Sequence, residues 1–191
     1  MIAEVRRDDL PLFISSKLGE LGVRFKEVKP AKGYNMFGID WVEVEGLEFK
    51  AFKAYFKLTV WGMDAAARGG GKAPAVMEYA FTPAKQTREK VESVWEYVKT
   101  GLFSKEVSGV RWKGGGLAER LNADGALKEN MLRLAAYGME RAYIEEGEVR
   151  FRFNTQVVNV RKGLLSVEQV FYCIPPTTEM FEAAQAMCRA L

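Results

Sequence analysis

Two glycine triplets flanked by cations, Arg68-Gly69-Gly70-Gly71-Lys72 and Lys113-Gly114-Gly115-Gly116, are the residues here whose types and spacing could do chemistry. Consecutive glycines let backbone amides turn toward a phosphate, and a helix that follows adds the positive end of its dipole. A P-loop needs G-x4-G-K-[ST], but Gly71-Lys72 is followed by Ala73, and Ala66 stands where the first glycine belongs. The dinucleotide fingerprint GxGxxG fails as well, because Gly69 and Gly71 lead to Pro74, and Gly114 and Gly116 lead to Glu119. What remains for Lys113, Gly114, Gly115 and Gly116 is a generic anion site where a helix starts near Leu117, weighed against a plain strand-to-helix connector. The connector is the preferred reading, and the first triplet reads as a loop.

The chain contains no histidine. That removes Ser-His and Cys-His nucleophile pairs, imidazole metal ligands, and the one side chain that titrates near neutrality without perturbation. Carboxylate, Lys, Tyr, Cys or a carboxylate-bound hard cation would have to carry any catalysis. Asp40, Asp64 and Glu78 read as solvated surface acids, and Glu145, Glu146 and Glu148 as solubilising charge around a turn. Cys173 and Cys188 lack a CxxC partner and read as buried thiols. Neither a metal nor a cofactor is expected, and no catalytic constellation is visible.

A second chemistry lies in an alternating pattern. In the run from Glu48 to Trp61, Phe52, Ala54, Phe56, Leu58 and Val60 fall on one side of a strand, and Lys53, Tyr55, Lys57, Thr59 and Trp61 on the other. Arg150 and Arg152 alternate in the same way with Val149, Phe151 and Phe153, and Arg24 and Lys26 give a third instance. If these faces coincide, Lys53, Tyr55, Lys57, Trp61, Arg150 and Arg152 form a basic, aromatic platform of the kind that stacks bases and neutralises phosphates. The competing reading is a solvated face on which the cations lie beside cross-strand acids.

These residues need a scaffold, and 191 residues with 48% hydrophobic and 28% charged content are enough to build one. The 28 cations exceed the 25 anions by too little for net charge to predict a nucleic-acid partner. The only apolar run near the N-terminus, Leu10 to Ile14, is too short for a signal core or a membrane span. A cytoplasmic protein with no membrane contact is the expectation.

Period-two patterns predict strands at Val23 to Lys29, Phe37 to Val44, Glu48 to Trp61, Ala75 to Phe81, Arg141 to Glu145, Glu148 to Arg161 and Leu165 to Ile174. Glu45-Gly46 and Glu146-Gly147 predict tight hairpins. Helices are predicted at Asp9 to Leu21, Leu117 to Asn122 and Ala126 to Tyr137, the last capped by Asp124, and in a closing segment after Pro176-Thr177. A further helix is predicted after Thr82-Pro83, because Val91, Val94, Trp95 and Val98 are spaced i, i+3, i+4, i+7.

The result is an α+β fold with an antiparallel sheet packed on helices, read as one domain over 1–191. Tyr79-x3-Pro83-x5-Glu89 returns as Tyr172-x3-Pro176-x5-Glu182, which suggests an imperfect duplication into pseudo-repeats 1–104 and 105–191. The order strand, helix, antiparallel strands, helix resembles that of TATA-binding-protein-like folds, and helix-grip folds share much of it. This is a likeness of topology, which does not carry function. By exclusion, the leading expectation is a non-enzymatic module for a small apolar or amphipathic ligand or a protein partner. Trp41, Phe56, Trp61, Phe151 and Phe171 would line its cavity. The alternative is a nucleic-acid binder that uses the basic, aromatic face.

Overall fold

The structure, a computed structural model, describes residues 2–31, 37–58, 71–85, 87–100, 104–162 and 166–191, without the side chains of 58, 159–162, 166 and 167. Its strands are β1 (Ala3–Arg6), β2 (Phe37–Glu43), β3 (Phe49–Leu58), β4 (Gly71–Pro83), β5 (Val91–Lys99), β6 (Lys105–Lys113), β7 (Met139–Glu145), β8 (Glu148–Lys162) and β9 (Ser166–Cys173). Its α-helices are α1 (Leu10–Glu20), α2 (Gly116–Ala123), α3 (Gly125–Ala135) and α4 (Thr178–Arg189). The fold is α+β, as the alternation implies. No helix among the described residues is long and apolar enough to cross a membrane.

All nine strands join one antiparallel sheet along the path β2-β3-β4-β8-β7-β5-β6, with β9 and then β1 added beside β8. The fifteen residues of β8 make this possible. Its first part, up to Phe153, pairs with β7 and its last part, from Val157, pairs with β9, while β4 runs along the other side. The β7–β8 hairpin closes on Glu146 and Gly147, both at positive φ (54° and 76°), the two-residue turn that the Glu-Gly pair predicts.

The side of the sheet that faces the helices is an aromatic core. Phe49, Phe52, Tyr79, Phe81, Phe151 and Phe153 are fully buried, and Phe181 of α4 lies 5.5–5.8 Å, centroid to centroid, from Phe49, Phe52 and Phe81. Each such ring stabilises the fold by about 2 kcal/mol through burial alone. Thr177 caps α4 by accepting from the Met180 amide at 3.2 Å, and Asp124 caps α3 by accepting from Leu127 at 2.9 Å. Phe56, Phe151 and Phe171, expected around a ligand cavity, are buried in this core; Trp61 lies outside the described residues.

The main correction concerns the segment after Pro83, which is strand β5 where the sequence predicts a helix. Its inward positions are Val91, Ser93 and Trp95, a period of two in which the serine hides the apolar signal. Three valines and two aromatic rings also favour extended backbone. Pro83 therefore ends β4 in register with Phe49, whereas Pro176 precedes helix α4, so the two recurring segments diverge at this point. Residues 23–31 also differ from expectation, forming an irregular cover on β2 through the bridges Phe25↔Val44 and Pro30↔Ile39. A bulge between Ile39 and Val42 and the missing donor of Pro30 break the ladder there. The short β1 has no counterpart among the predicted strands, and of β6 only the end nearest Lys113 was expected.

Candidate functional site

The face of the sheet opposite the aromatic core carries the candidate site. Cross-strand partners share a face, and the registers Lys53↔Ala80↔Arg150, Tyr55↔Glu78↔Arg152 and Lys57↔Val76 put Lys53, Tyr55, Lys57, Arg150 and Arg152 together. Trp61, the sixth residue of the expected platform, lies outside the described residues. Tyr143 of β7 pairs with Arg150, and Arg141 with Arg152, so both join the same face. Arg141-x-Tyr143 repeats the alternation of cation and ring in Lys53-x-Tyr55, a signal that the sequence carries.

At the centre of this face lies Glu78, 1% exposed rather than solvated. Tyr55 donates its hydroxyl to one carboxylate oxygen, which also meets Arg150 Nη1 at 3.3 Å and Lys57 Nζ at 4.0 Å; Tyr143 donates to the other at 2.8 Å. Arg150 continues to Glu148 at 2.7 Å and Glu146 at 3.5 Å, and Lys53 reaches Glu148 at 3.5 Å. Arg152 meets Glu140 at 2.8 Å. Glu148 thus takes part in a cross-strand network instead of standing as a turn charge. Lys53 also lies 4.3 Å from the centroid of Trp41, and Lys57 lies 5.0 Å from that of Tyr55. The cations do share a face, each beside an acid.

The environment of the phenols and thiols bears on their chemistry. Burial, followed by the bond to Glu78, pushes the Tyr143 hydroxyl up to about 12 and moves Tyr55 in the same direction. Burial likewise raises Cys173, and it brings Cys188 up to about 12. These groups stay protonated at neutral pH, the reverse of what a nucleophile or general base requires. Among the described residues no three acids or thiols gather to hold a metal ion.

Toward β5 the face opens. β5 and β7 share only the pairs Val91↔Ile144 and Glu92↔Tyr143 before they diverge. Side chains then replace the ladder: Ser93, 6% exposed, accepts from the Ala142 amide at 2.8 Å, and the Trp95 indole donates to the Glu140 carbonyl. Beside these pairs is an open cleft of about 450 Å³, lined by Lys90, Glu92, Lys113, Gly114, Arg141 and Tyr143 together with Val91 and Ile144, whose side chains are buried. Lys90 meets Glu145 at 3.1 Å and Arg141 meets Glu92 at 3.8 Å; Lys113, opposite Glu92 in register, makes no ion pair among the described residues. Gly114, at φ 126°, packs so tightly that a Cβ would stand 2.3 Å from the Lys90 carbonyl oxygen.

The glycine triplet therefore contributes to the cleft through Gly114, not through the start of the helix. At the N-terminus of α2 the Leu117 amide donates to Glu89 at 3.0 Å, and Gly115 lies against the same carboxylate. The anion at that dipole end is the chain's own, joined across a separation of 28 residues that no local pattern reveals. A second cleft, about 430 Å³, lies between Leu10, Pro30, Phe37 and Phe171. Comparison with known proteins finds no matching family model, curated protein or solved structure.

Proposed function

We propose that the protein is a non-enzymatic binding module, and that the cleft between β5 and β7 takes a small amphipathic ligand with an anionic group. One observation carries this reading: Lys113, a cation without an ion-pair partner among the described residues, lines one open cleft with Arg141 and Tyr143. The anionic group would meet Lys113 and Arg141, and the apolar part would lie against the Tyr143 ring, itself 4.8 Å from the Arg141 guanidinium. The raised thiol and phenol pKa values support binding over catalysis.

The nucleic-acid reading uses Lys53, Lys57, Arg150 and Arg152 of the same face. Their carboxylate partners count against it, because phosphate would have to displace each acid or be repelled by it. The same proposal takes 1–191 as one domain with a helix-grip-like arrangement, supported by the packing of Phe181 of α4 on three rings of the sheet side.

Titration calorimetry with phenyl phosphate, inorganic phosphate and phenol separates the parts of this reading. Phenyl phosphate should bind most tightly, Lys113→Ala with Arg141→Ala should abolish that binding, and salt should weaken it only slightly. Equal binding of the three probes, or a salt slope for single-stranded nucleic acid that implies three or more phosphate contacts, would overturn it.

A further inference from the structure

Strand β1 pairs with β9 from Ala3↔Cys173 to Arg6↔Val170, and among the described residues no strand pairs its other edge. Along that edge runs an open groove of about 380 Å³ between Glu4, Val5 and Arg6 of the strand and Leu12, Phe13 and Ser16 of α1. The helix residues lie on one face, away from the buried Leu10, Ile14 and Leu18. Leu12 is 74% exposed, the largest value among the exposed large apolar side chains described, and Ile2, beside β1, is 50% exposed. An uncovered edge next to exposed apolar side chains is a template for another strand.

The sequence of β1 indicates which strand. Val5 turns into the core, while Glu4 and Arg6 turn outward. If β1 pairs antiparallel with itself about Val5, Glu4 of one copy lies opposite Arg6 of the other, and two-fold symmetry makes the contact twice. The axis is then perpendicular to the sheet, so both α1 helices stay on one side and bring Leu12 and Phe13 of the two copies toward each other. Arg6 already meets Glu168 at 3.1 Å but remains 59% exposed, and its guanidinium has donors enough for a second carboxylate.

We propose that a second copy of this chain occupies the groove, with β1 pairing antiparallel across the two-fold axis and Glu4 opposite Arg6. Edge strands are usually protected by charges of one sign or by proline; the charges of β1 are complementary to their own reverse.

Sedimentation equilibrium over a concentration series tests this on the full chain. The native protein should be a dimer in reversible exchange with monomer. Glu4→Arg or Arg6→Glu alone places like charges opposite each other twice and should raise the dissociation constant by about tenfold or more. The double exchange Glu4→Arg with Arg6→Glu restores opposite charges and should return the constant to within about threefold of native. Leu12→Lys, at an exposed position that leaves the core intact, should also weaken the dimer, and circular dichroism melts should show every variant folded. A monomer at all concentrations, a dimer indifferent to the single changes, or a double exchange that fails to restore association would each overturn the proposal.

Discussion

The two ends of the outer sheet face contain the same residue types and differ in how completely those residues are paired. Around Glu78 of β4, three other strands bring two phenols, an arginine and a lysine onto one carboxylate, and the cations further out each have an acid. At the β5–β7 end the ladder stops after two pairs, Ser93 and Trp95 bridge the gap, and Lys113 has no ion pair among the described residues. Where every cation already has an acid, little charge is left to offer a ligand, and removal of the shared carboxylate is costly because its partners are left desolvated. The end with a lysine unpaired among the described residues, beside an open cleft, is the one that the proposal assigns to binding. On the proposed reading Glu78 stiffens the platform, and the cleft would perform the recognition.

Removal of the carboxylate at the closed end should have the largest effect. Glu78→Ala leaves the Arg150 charge and two phenols without their central acceptor, so it should destabilise the fold by about 3–5 kcal/mol in urea unfolding. Glu78→Gln keeps an acceptor and should lose less, and neither variant should weaken the ligand contacts made by Lys113. Loss of more ligand affinity than stability in Glu78→Gln would erase the distinction between the two ends.

At the open end, Ser93→Ala orphans the buried Ala142 amide and should be destabilising by about 1–3 kcal/mol. Because Ser93 bridges the diverging strands, the same change should also alter ligand affinity. A Ser93→Ala protein with native stability would show that the bridge contributes nothing.

The phenols allow the comparison to be read by pH. Tyr143 titrates at about 12 in the folded chain, above the ordinary 10.0, so the folded state holds its proton more tightly than the unfolded state. That contribution is complete below pH 10 and is lost as pH rises through 12, with Tyr55 shifted in the same direction. Stability measured across this window should fall less steeply in Tyr143→Phe than in the native chain; an unchanged slope would remove Tyr143 from the network. The smallest effect on stability belongs to Lys113→Ala, within about 0.5 kcal/mol, although ligand affinity should drop about tenfold.

Much of the platform was legible in the sequence because strand alternation is local. Lys53, Lys57, Arg150 and Arg152 follow the period of two, and Glu146-Gly147 fixes the turn that aligns β7 with β8. The state of Glu78 was not legible, since its burial depends on Tyr143, 65 residues away in sequence, and on the order of strands. β5 was misread because Ser93 occupies an inward position where an apolar residue would have shown the alternation. The same serine bridges β5 to β7 through the Ala142 amide, so the feature that concealed the strand also joins it to the sheet. Glu89 capping α2 was concealed in the same way, by a contact that only the folded chain creates.

The most direct test is amide chemical-shift mapping of the native chain during titration with phenyl phosphate. The account predicts saturable shifts at Val91, Glu92, Lys113, Gly114, Arg141 and Tyr143, with little change at Lys53 and Lys57. Shifts centred on Lys53, Lys57 and Arg152, or no saturable shift at the cleft, would contradict it.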